Sequence, residues 1–119
     1  MGQPIPDPVL DQKMNWDQIR ELQRDELFTV GGHGATHRIL SFLNATDLEQ
    51  EIHTSLDRLR SEINQEPVHY SYPEGLEHCY SDDVIKTLKK YGIVCSPSAE
   101  DGVNRVGDDL FRLKRILVT

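Results

Sequence analysis

The chain has 119 residues, of which 37% are hydrophobic and 28% are charged, and its formal net charge is −7 at pH 7. This length and apolar content predict one globular domain and exclude wholesale disorder. The acidic excess argues against nucleic acid or anionic lipid as a partner, because Lys and Arg supply that affinity. The sequence contains neither a signal peptide nor an apolar run of the ~18 residues that a membrane span needs. A cytoplasmic protein is the default expectation, and a secreted context stays open if an upstream segment is missing.

The first quarter of the chain predicts a lead-in, a helix and a strand. Three of the six prolines fall within residues 1–13, which are interpreted as an extended lead-in to a domain at 14–119. Asn15 is a candidate N-cap, and apolar residues at helical spacing predict a helix that ends near Asp25. Residues 26–30 have strand character and lead directly to a glycine pair.

Two further helices alternate with short strands in the rest of the chain. Thr46 and Glu49 form a candidate capping box for a long helix that runs to about Asn64. Its apolar stripe consists of Leu48, Ile52, Leu56, Leu59 and Ile63. A strand at 68–72 ends in a turn, Ser81 caps a third helix, and Gly92 is its C′ residue.

The remaining residues predict a strand at 93–95, a polar loop at 96–109 and a last strand at 110–118. Strands that alternate with helices of this length indicate parallel βαβ units. We therefore expect an α/β fold with about four strands and three helices, forming a small open sheet or an arc of a larger one.

His33 and His37 stand four residues apart, just after the glycine pair. If this stretch is helical, the two imidazoles share one face and can bind a divalent metal such as zinc. Glycines at 31, 32 and 34 allow a sharp turn that leaves the rings room to converge. The alternative is chance spacing among the five histidines, in an ordinary strand-to-helix turn.

Several stretches in order resemble the polysaccharide deacetylases with the NodB homology domain (carbohydrate esterase family 4). They are the strand followed by Gly31–His37, the helix with Glu51-Ile52, Ser55 and Leu59, the strand with the Tyr72-Pro73-Glu74-Gly75 turn, Tyr91-Gly92, and Leu113-x-Arg115-Ile116. The resemblance implies a partial or distorted (β/α) barrel and metal-dependent removal of acetyl groups from N-acetylated sugars.

The same resemblance implies roles for individual residues. His33 and His37 match the metal-binding histidines, and zinc is the usual metal of the family. The backbone N–H of Glu74 matches the oxyanion donor, and Tyr72, Pro73 and Gly75 match the groove that binds the acetylated carbohydrate.

The chain also departs from the family pattern. Nothing in residues 1–28 matches the early Asp-Asp motif that supplies the base and the third metal ligand, Ser71 stands where an Arg is common, and no late Leu-x-His motif follows. The chain is therefore expected to be an incomplete deacetylase domain, either a hydrolase that needs a further carboxylate or a truncated homologue that binds carbohydrate or protein. A third interpretation is a small α/β protein of unrelated role.

Two expectations concern association and redox state. An incomplete barrel leaves an open sheet edge, which a homodimer would cover. Cys79 and Cys95 form one disulfide or remain two reduced thiols; the spacing leaves both open.

Overall fold

The computed structural model describes residue 5 and residues 7–119 of the chain. The part of the predicted lead-in that falls on residues 1–4 and 6 lies outside the described residues. Over the described residues the regular elements are α1 (Trp16–Arg24), α2 (Ala45–Ile63), α3 (Asp82–Lys90), β1 (Pro97–Asp101) and β2 (Leu113–Arg115). Short 3-10 turns at Leu40–Phe42 and Glu77–Cys79 precede α2 and α3.

The predicted helix ends are largely confirmed. Asn15 caps α1 through a capping box with Gln18, and the Ser81 side chain accepts from the Val84 N–H at the start of α3. Gly92 follows α3 with φ +87°, the left-handed conformation that suits a C′ glycine.

The predicted cap of α2 is wrong by two residues. Asn44, not Thr46, caps this helix, because the Asn44 side chain accepts from the Asp47 N–H at 2.8 Å. Thr46 already lies inside the first turn. Two overlapping polar signals, Asn44 and Thr46, compete in this sequence, and the earlier one begins the helix.

Four chain segments lie side by side and parallel, in chain order. Isolated bridges join Gly32 to Tyr70 and His69 to Cys95, and β1 pairs in parallel with β2. The Gly32 N–H donates to the His69 carbonyl at 2.9 Å, and the Tyr70 N–H donates to the Cys95 carbonyl at 3.1 Å. This arc, with α2 and α3 as the connections, confirms the α/β class and the partial barrel.

The strand predicted at 26–30 is wrong. The Leu27 N–H donates to the Asp25 carboxylate at 2.9 Å, and the Phe28 N–H donates to the Asp25 carbonyl at 3.2 Å. These bonds make a turn that uses the donors a strand would need, and pairing with the neighbouring segment begins only at Gly32.

The loop predicted at 96–109 is also wrong over its first part, because residues 97–101 form β1. Ser96 and Ser98 are completely buried, and the Ser98 hydroxyl donates to the Leu113 carbonyl of β2 at 2.9 Å. The polar composition of this strand concealed its burial. The predicted strands at 68–72 and 93–95 are reduced to bridge residues, and the last strand is shortened to β2.

The core lies between the arc and the helices. All five residues of the predicted α2 stripe are buried, and Ile52 and Leu56 are at most 1% exposed. Tyr70 and Tyr72 reach this core from the arc, and Val84 and Leu88 reach it from α3. Burial of these side chains supplies the main stabilisation of the fold.

Two general features complete the description. None of the helices in the described residues is long and apolar enough to cross a membrane. Cys79 and Cys95 are free thiols, so the disulfide alternative is not formed in this structure. Burial raises the pKa of the Cys95 thiol, which keeps it protonated and unreactive at neutral pH.

Candidate functional site

The two histidines lie on a loop, not on a helix as predicted. Gly34 and His37 both have left-handed backbone conformations, with φ +80° and +59°, and a right-handed helix cannot pass through them. The loop nevertheless brings the imidazoles together. The ring centroids of His33 and His37 are 4.9 Å apart in an edge-on arrangement, and both residues are exposed.

A buried carboxylate on α2 holds the middle of this loop. Glu51 is only 6% exposed, and one of its oxygens accepts from the Thr36 N–H at 2.7 Å. The Thr36 hydroxyl lies 2.8 and 2.9 Å from the two carboxylate oxygens. Because Thr36 precedes His37, these bonds fix the backbone from which the second imidazole projects.

A chain of hydrogen bonds from Tyr70 holds the start of the loop. The Gly34 N–H donates to the Tyr70 hydroxyl at 2.8 Å, and the hydroxyls of Tyr70 and Ser55 lie 2.8 Å apart. The Ser55 hydroxyl also lies 2.8 Å from the Ile52 carbonyl, to which it can only donate. The Tyr70 O–H therefore donates to Ser55, and each polar group in this buried relay has a partner. Burial raises the pKa of Tyr70 and keeps the phenol neutral.

One residue bonds directly to the first histidine. The His33 Nδ1 lies 2.8 Å from the Ser71 hydroxyl and 3.0 Å from the Ser71 carbonyl oxygen. Ser71 lies on the neighbouring segment of the arc, and its own N–H donates to the Gly32 carbonyl at 2.9 Å. The ring of His33 is thus oriented by the sheet itself.

The turn at residues 73–75 packs against the histidine loop. A Cβ on Gly34 would lie 3.3 Å from the Pro73 Cγ, so the two segments are in close contact at this point. Glu74 and Gly75 have φ of +64° and +75°, and the Gly75 carbonyl accepts from the Ala99 N–H at 2.7 Å. The Glu74 N–H donates to no partner within the described part of the chain, and Glu74 is exposed.

The other residues predicted to bind substrate are mostly buried. Tyr72 is 1% exposed, and Pro73 is also fully buried. The Tyr72 hydroxyl donates to the Phe111 carbonyl at 2.7 Å, and its ring stacks on Tyr80. The Tyr72 side chain therefore offers no surface to a ligand, and its visible role is to anchor the turn. Burial raises the pKa of Tyr72 to about 12.

The face of the arc opposite the helices is open. Residues alternate along the segments: Tyr70 and Tyr72 pack into the core and Ser96 and Ser98 are buried, while His69, Ser71, Cys95 and Pro97 line a depression. This depression has a volume of about 440 Å³ and includes His33 at its rim. In a closed barrel this face would be the interior.

The described residues do not complete a metal site. Over residue 5 and residues 7–119, no group of three or more His, Cys, Asp and Glu side chains is placed to hold a metal ion. The His33–His37 pair supplies two neutral nitrogen donors of the kind that zinc accepts, whereas a catalytic zinc usually has three protein ligands. The donor chemistry fits zinc, and the number of donors is one short.

Sequence reasoning missed the residues that support the loop. Glu51 lies in register with the apolar stripe of α2, between Leu48 and Ser55, and that position was a signal that a carboxylate faces inward. Ser71 alternates with two tyrosines that face the core, which places it on the open face. The partners of both residues are 15 and 38 positions away in the sequence, so no local pattern names them.

Comparison with known proteins gives a consistent family relationship. The sequence profile described as polysaccharide deacetylase matches residues 9–96, which is more than half of the chain. A search of curated proteins found no match.

Solved structures show the same fold at low sequence identity. The Streptococcus pyogenes deacetylase PplD in complex with acetate superposes with a TM-score of 0.79 at 20% identity, over 89% of this chain and 45% of that one. The deacetylase domain of BpsB from Bordetella bronchiseptica gives 0.75 at 18% identity, over 88% and 49%. A polysaccharide deacetylase from Bacillus cereus gives 0.72 at 23% identity, over 90% and 33%. The chain thus spans half or less of the length of each of these proteins.

Proposed function

Because the chain belongs to the polysaccharide deacetylase family, we propose that it takes part in the hydrolytic removal of acetyl groups from acetylated sugars. The observation that carries this proposal is the contact between Gly34 and Pro73. In this contact the loop with two adjacent imidazoles lies beside a turn whose Glu74 N–H has no hydrogen-bond partner within the described residues. Two imidazoles that can bind a metal, next to a backbone N–H that can stabilise an oxyanion, form a combination that suits metal-dependent amide hydrolysis.

His33 and His37 are the residues that would hold the metal, and zinc is one of the divalent ions that imidazole donors suit. Bound there, zinc would polarise the acetyl carbonyl and lower the pKa of a bound water. The proposal requires a general base and a third metal donor, and within the described residues no group of three potential ligands is present. Loss of a general base alone costs about 10²–10⁴-fold in rate.

The chain's own contribution to the transition state would be the Glu74 N–H. Glu74 has a left-handed backbone conformation, and its N–H has no hydrogen-bond partner within the described residues. A preorganised backbone donor contributes to catalysis through position, so the identity of the side chain at 74 matters little. The bond from Ala99 to the Gly75 carbonyl holds the turn to β1.

A non-catalytic role is the second candidate, and the incomplete donor set favours it. In this case the chain would bind an acetylated carbohydrate or a partner protein without hydrolysing it. The depression lined by His69, Ser71 and Cys95 has space for a sugar unit, at about 440 Å³.

The first experiment is a calorimetric titration of metal-stripped protein with Zn²⁺ and Co²⁺. We expect binding in the micromolar range or tighter that disappears in His33→Ala and in His37→Ala. His53→Ala is the matched control, because His53 is exposed on α2 and its ring lies 5.6 Å from the Tyr91 ring in a tilted arrangement. Binding that is absent in the wild type, or indifferent to both substitutions, would contradict the metal proposal.

The second experiment separates the two candidate functions. Acetate release from chitooligosaccharides is measured with zinc-loaded protein, and carbohydrate binding is measured by calorimetry on the same sample. Release that is lost in His33→Ala supports hydrolysis. Carbohydrate binding without release, unchanged when zinc is removed, supports the binding module instead.

A further inference from the structure

We propose that Ser71 is a positioning residue for His33, which it holds in the tautomer that carries its proton on Nδ1 and leaves Nε2 free as a metal donor. This inference rests on the proposed function, since it concerns the same pair of histidines. It adds to that function a residue whose side chain touches neither the substrate nor the metal.

The two acceptor groups of Ser71 decide the tautomer. The carbonyl oxygen, 3.0 Å from Nδ1, can only accept a hydrogen bond, so its contact requires a proton on Nδ1. The hydroxyl, 2.8 Å from Nδ1, can donate or accept and therefore adapts to either tautomer. Only the Nδ1–H form satisfies both contacts. In that form the carbonyl oxygen and the hydroxyl oxygen of Ser71 both accept from the single proton on Nδ1.

The other nitrogen of the ring is left available. Within the described part of the chain, Nε2 of His33 has no hydrogen-bond partner, and the residue is exposed at the rim of the open depression. A metal-binding histidine commonly donates its second N–H to a carbonyl or a polar side chain, which fixes the ring and raises the basicity of the ligating nitrogen. Ser71 supplies both kinds of acceptor from one residue.

The position of Ser71 makes the arrangement rigid. Its N–H donates to the Gly32 carbonyl at 2.9 Å, and Gly32 precedes His33 directly. Gly32 and Tyr70 form a parallel bridge. His33 follows the first of these residues and Ser71 follows the second, so the bridge fixes the distance between the two backbones. Because the backbone is held in this way, the His33 ring can rotate only by breaking its contacts to Ser71.

The test is long-range ¹H–¹⁵N NMR of the metal-free protein, at a pH about two units above the ordinary histidine pKa of ~6.5. We expect the His33 signals of the wild type to show a protonated Nδ1 and a bare Nε2. Ser71→Ala keeps the carbonyl acceptor and loses only the hydroxyl, so the Nδ1–H form should remain the main one, with a larger fraction of the Nε2–H form that predominates in unconstrained histidine. Ser71→Thr keeps the hydroxyl and should behave as the wild type. Ser41→Ala is the matched control, because the Ser41 hydroxyl also bonds to a carbonyl, that of His78.

Zinc affinity provides the second readout. We expect Ser71→Ala to weaken zinc binding about tenfold, the lower end of the range for groups that support a metal ligand, because the carbonyl contact remains. A wild-type His33 with its proton on Nε2 would overturn the inference, and so would a Ser71→Ala variant with unchanged tautomer and affinity. If the wild type shows the Nδ1–H tautomer and binds no zinc, the metal proposal fails while the assignment of Ser71 stands.

Discussion

Gly32 is the residue at which the sheet, the core and the histidine loop come closest together. A Cβ at this position would lie 2.5 and 2.6 Å from two carbon atoms of the Tyr70 ring. The ring cannot yield easily, because its hydroxyl is bonded to Gly34 and Ser55. A single methyl group here would thus disturb both the core and the loop.

We expect Gly32→Ala to lower the free energy of unfolding by about 2 kcal/mol, the usual cost of overpacking. Urea denaturation followed by circular dichroism measures this change. Gly107→Ala is the control, since a Cβ there meets nothing within 4 Å, although φ is +97°. That variant adds no clash and reports only the cost of a left-handed backbone, about 1 kcal/mol, which Gly32 does not carry because its φ is not positive. A Gly32→Ala protein as stable as the wild type would contradict the described packing.

Glu51 is the residue that couples the histidine loop to α2. We expect Glu51→Ala to cost about 2 kcal/mol of stability, because it removes the charge-assisted bonds to the Thr36 N–H and hydroxyl. The same variant should weaken zinc binding, since the backbone before His37 loses its anchor. Gln50→Ala, one position earlier and exposed, is the matched control for the helix. Equal stability of the two variants in urea would contradict this role.

The sequence identified two segments that the structure brings into contact, but not the residues that hold them in place. The spacing of His33 and His37 and the turn at 73–75 are local patterns, and they pointed to the segments that the structure places in contact. Ser71 and Thr36 act through partners on other segments, so their roles depend on the register of the arc. Register depends on how distant segments pair in the folded chain, so local patterns alone did not reveal these partners.

The helices were more predictable than the strands, for a physical reason. A helix satisfies its own hydrogen bonds, so its start and its buried face can be read from caps and periodicity, as in α1 and α3. A strand depends on a neighbour. Residues 26–30 have strand composition but bond within a turn, whereas the polar residues 97–101 form β1 because β2 lies beside them.

The start of α2 provides a prediction that discriminates between two candidate caps. We expect Asn44→Ala to destabilise the protein by about 1 kcal/mol, because the Asp47 N–H loses its acceptor. Thr46→Ala should be neutral or slightly stabilising, since Thr46 lies inside the helix, where Ala is the better helix former. Thermal or urea unfolding of the two variants decides the matter. If Thr46→Ala destabilised the protein more than Asn44→Ala, Thr46 would be the N-cap of α2.

At the scale of the whole molecule, the helices cover one face of the arc and leave the other open. The covered face holds the tyrosines and the α2 stripe, and the open face holds His69, Ser71 and Cys95. The fold superposes over about 90% of this chain, whereas the chain spans only 33–49% of the three solved proteins compared above. The homodimer that would cover an open edge stays a prediction, and light scattering at high protein concentration tests it.

The buried tyrosines make the stability of the molecule depend on alkaline pH. Tyr72 has its pKa raised by burial to about 12, against ~10 in the unfolded chain. Between these values the unfolded state binds fewer protons than the folded state, so the free energy of unfolding falls as pH rises. The contribution of Tyr72 is fully present below about pH 10 and is lost as pH rises toward about 12, a change of about 2–3 kcal/mol.

Tyr72→Phe separates this effect from simple destabilisation. Below about pH 10 the variant should be less stable by about 1–3 kcal/mol, because the Phe111 carbonyl loses its donor in a buried place. Above about pH 10 its stability should decline less steeply than that of the wild type. Part of the decline remains, since Tyr70 and Tyr80 also have raised pKa values. Urea denaturation from about pH 8 to about pH 12 measures both curves, and parallel curves over that range would show that Tyr72 titrates normally in the folded protein.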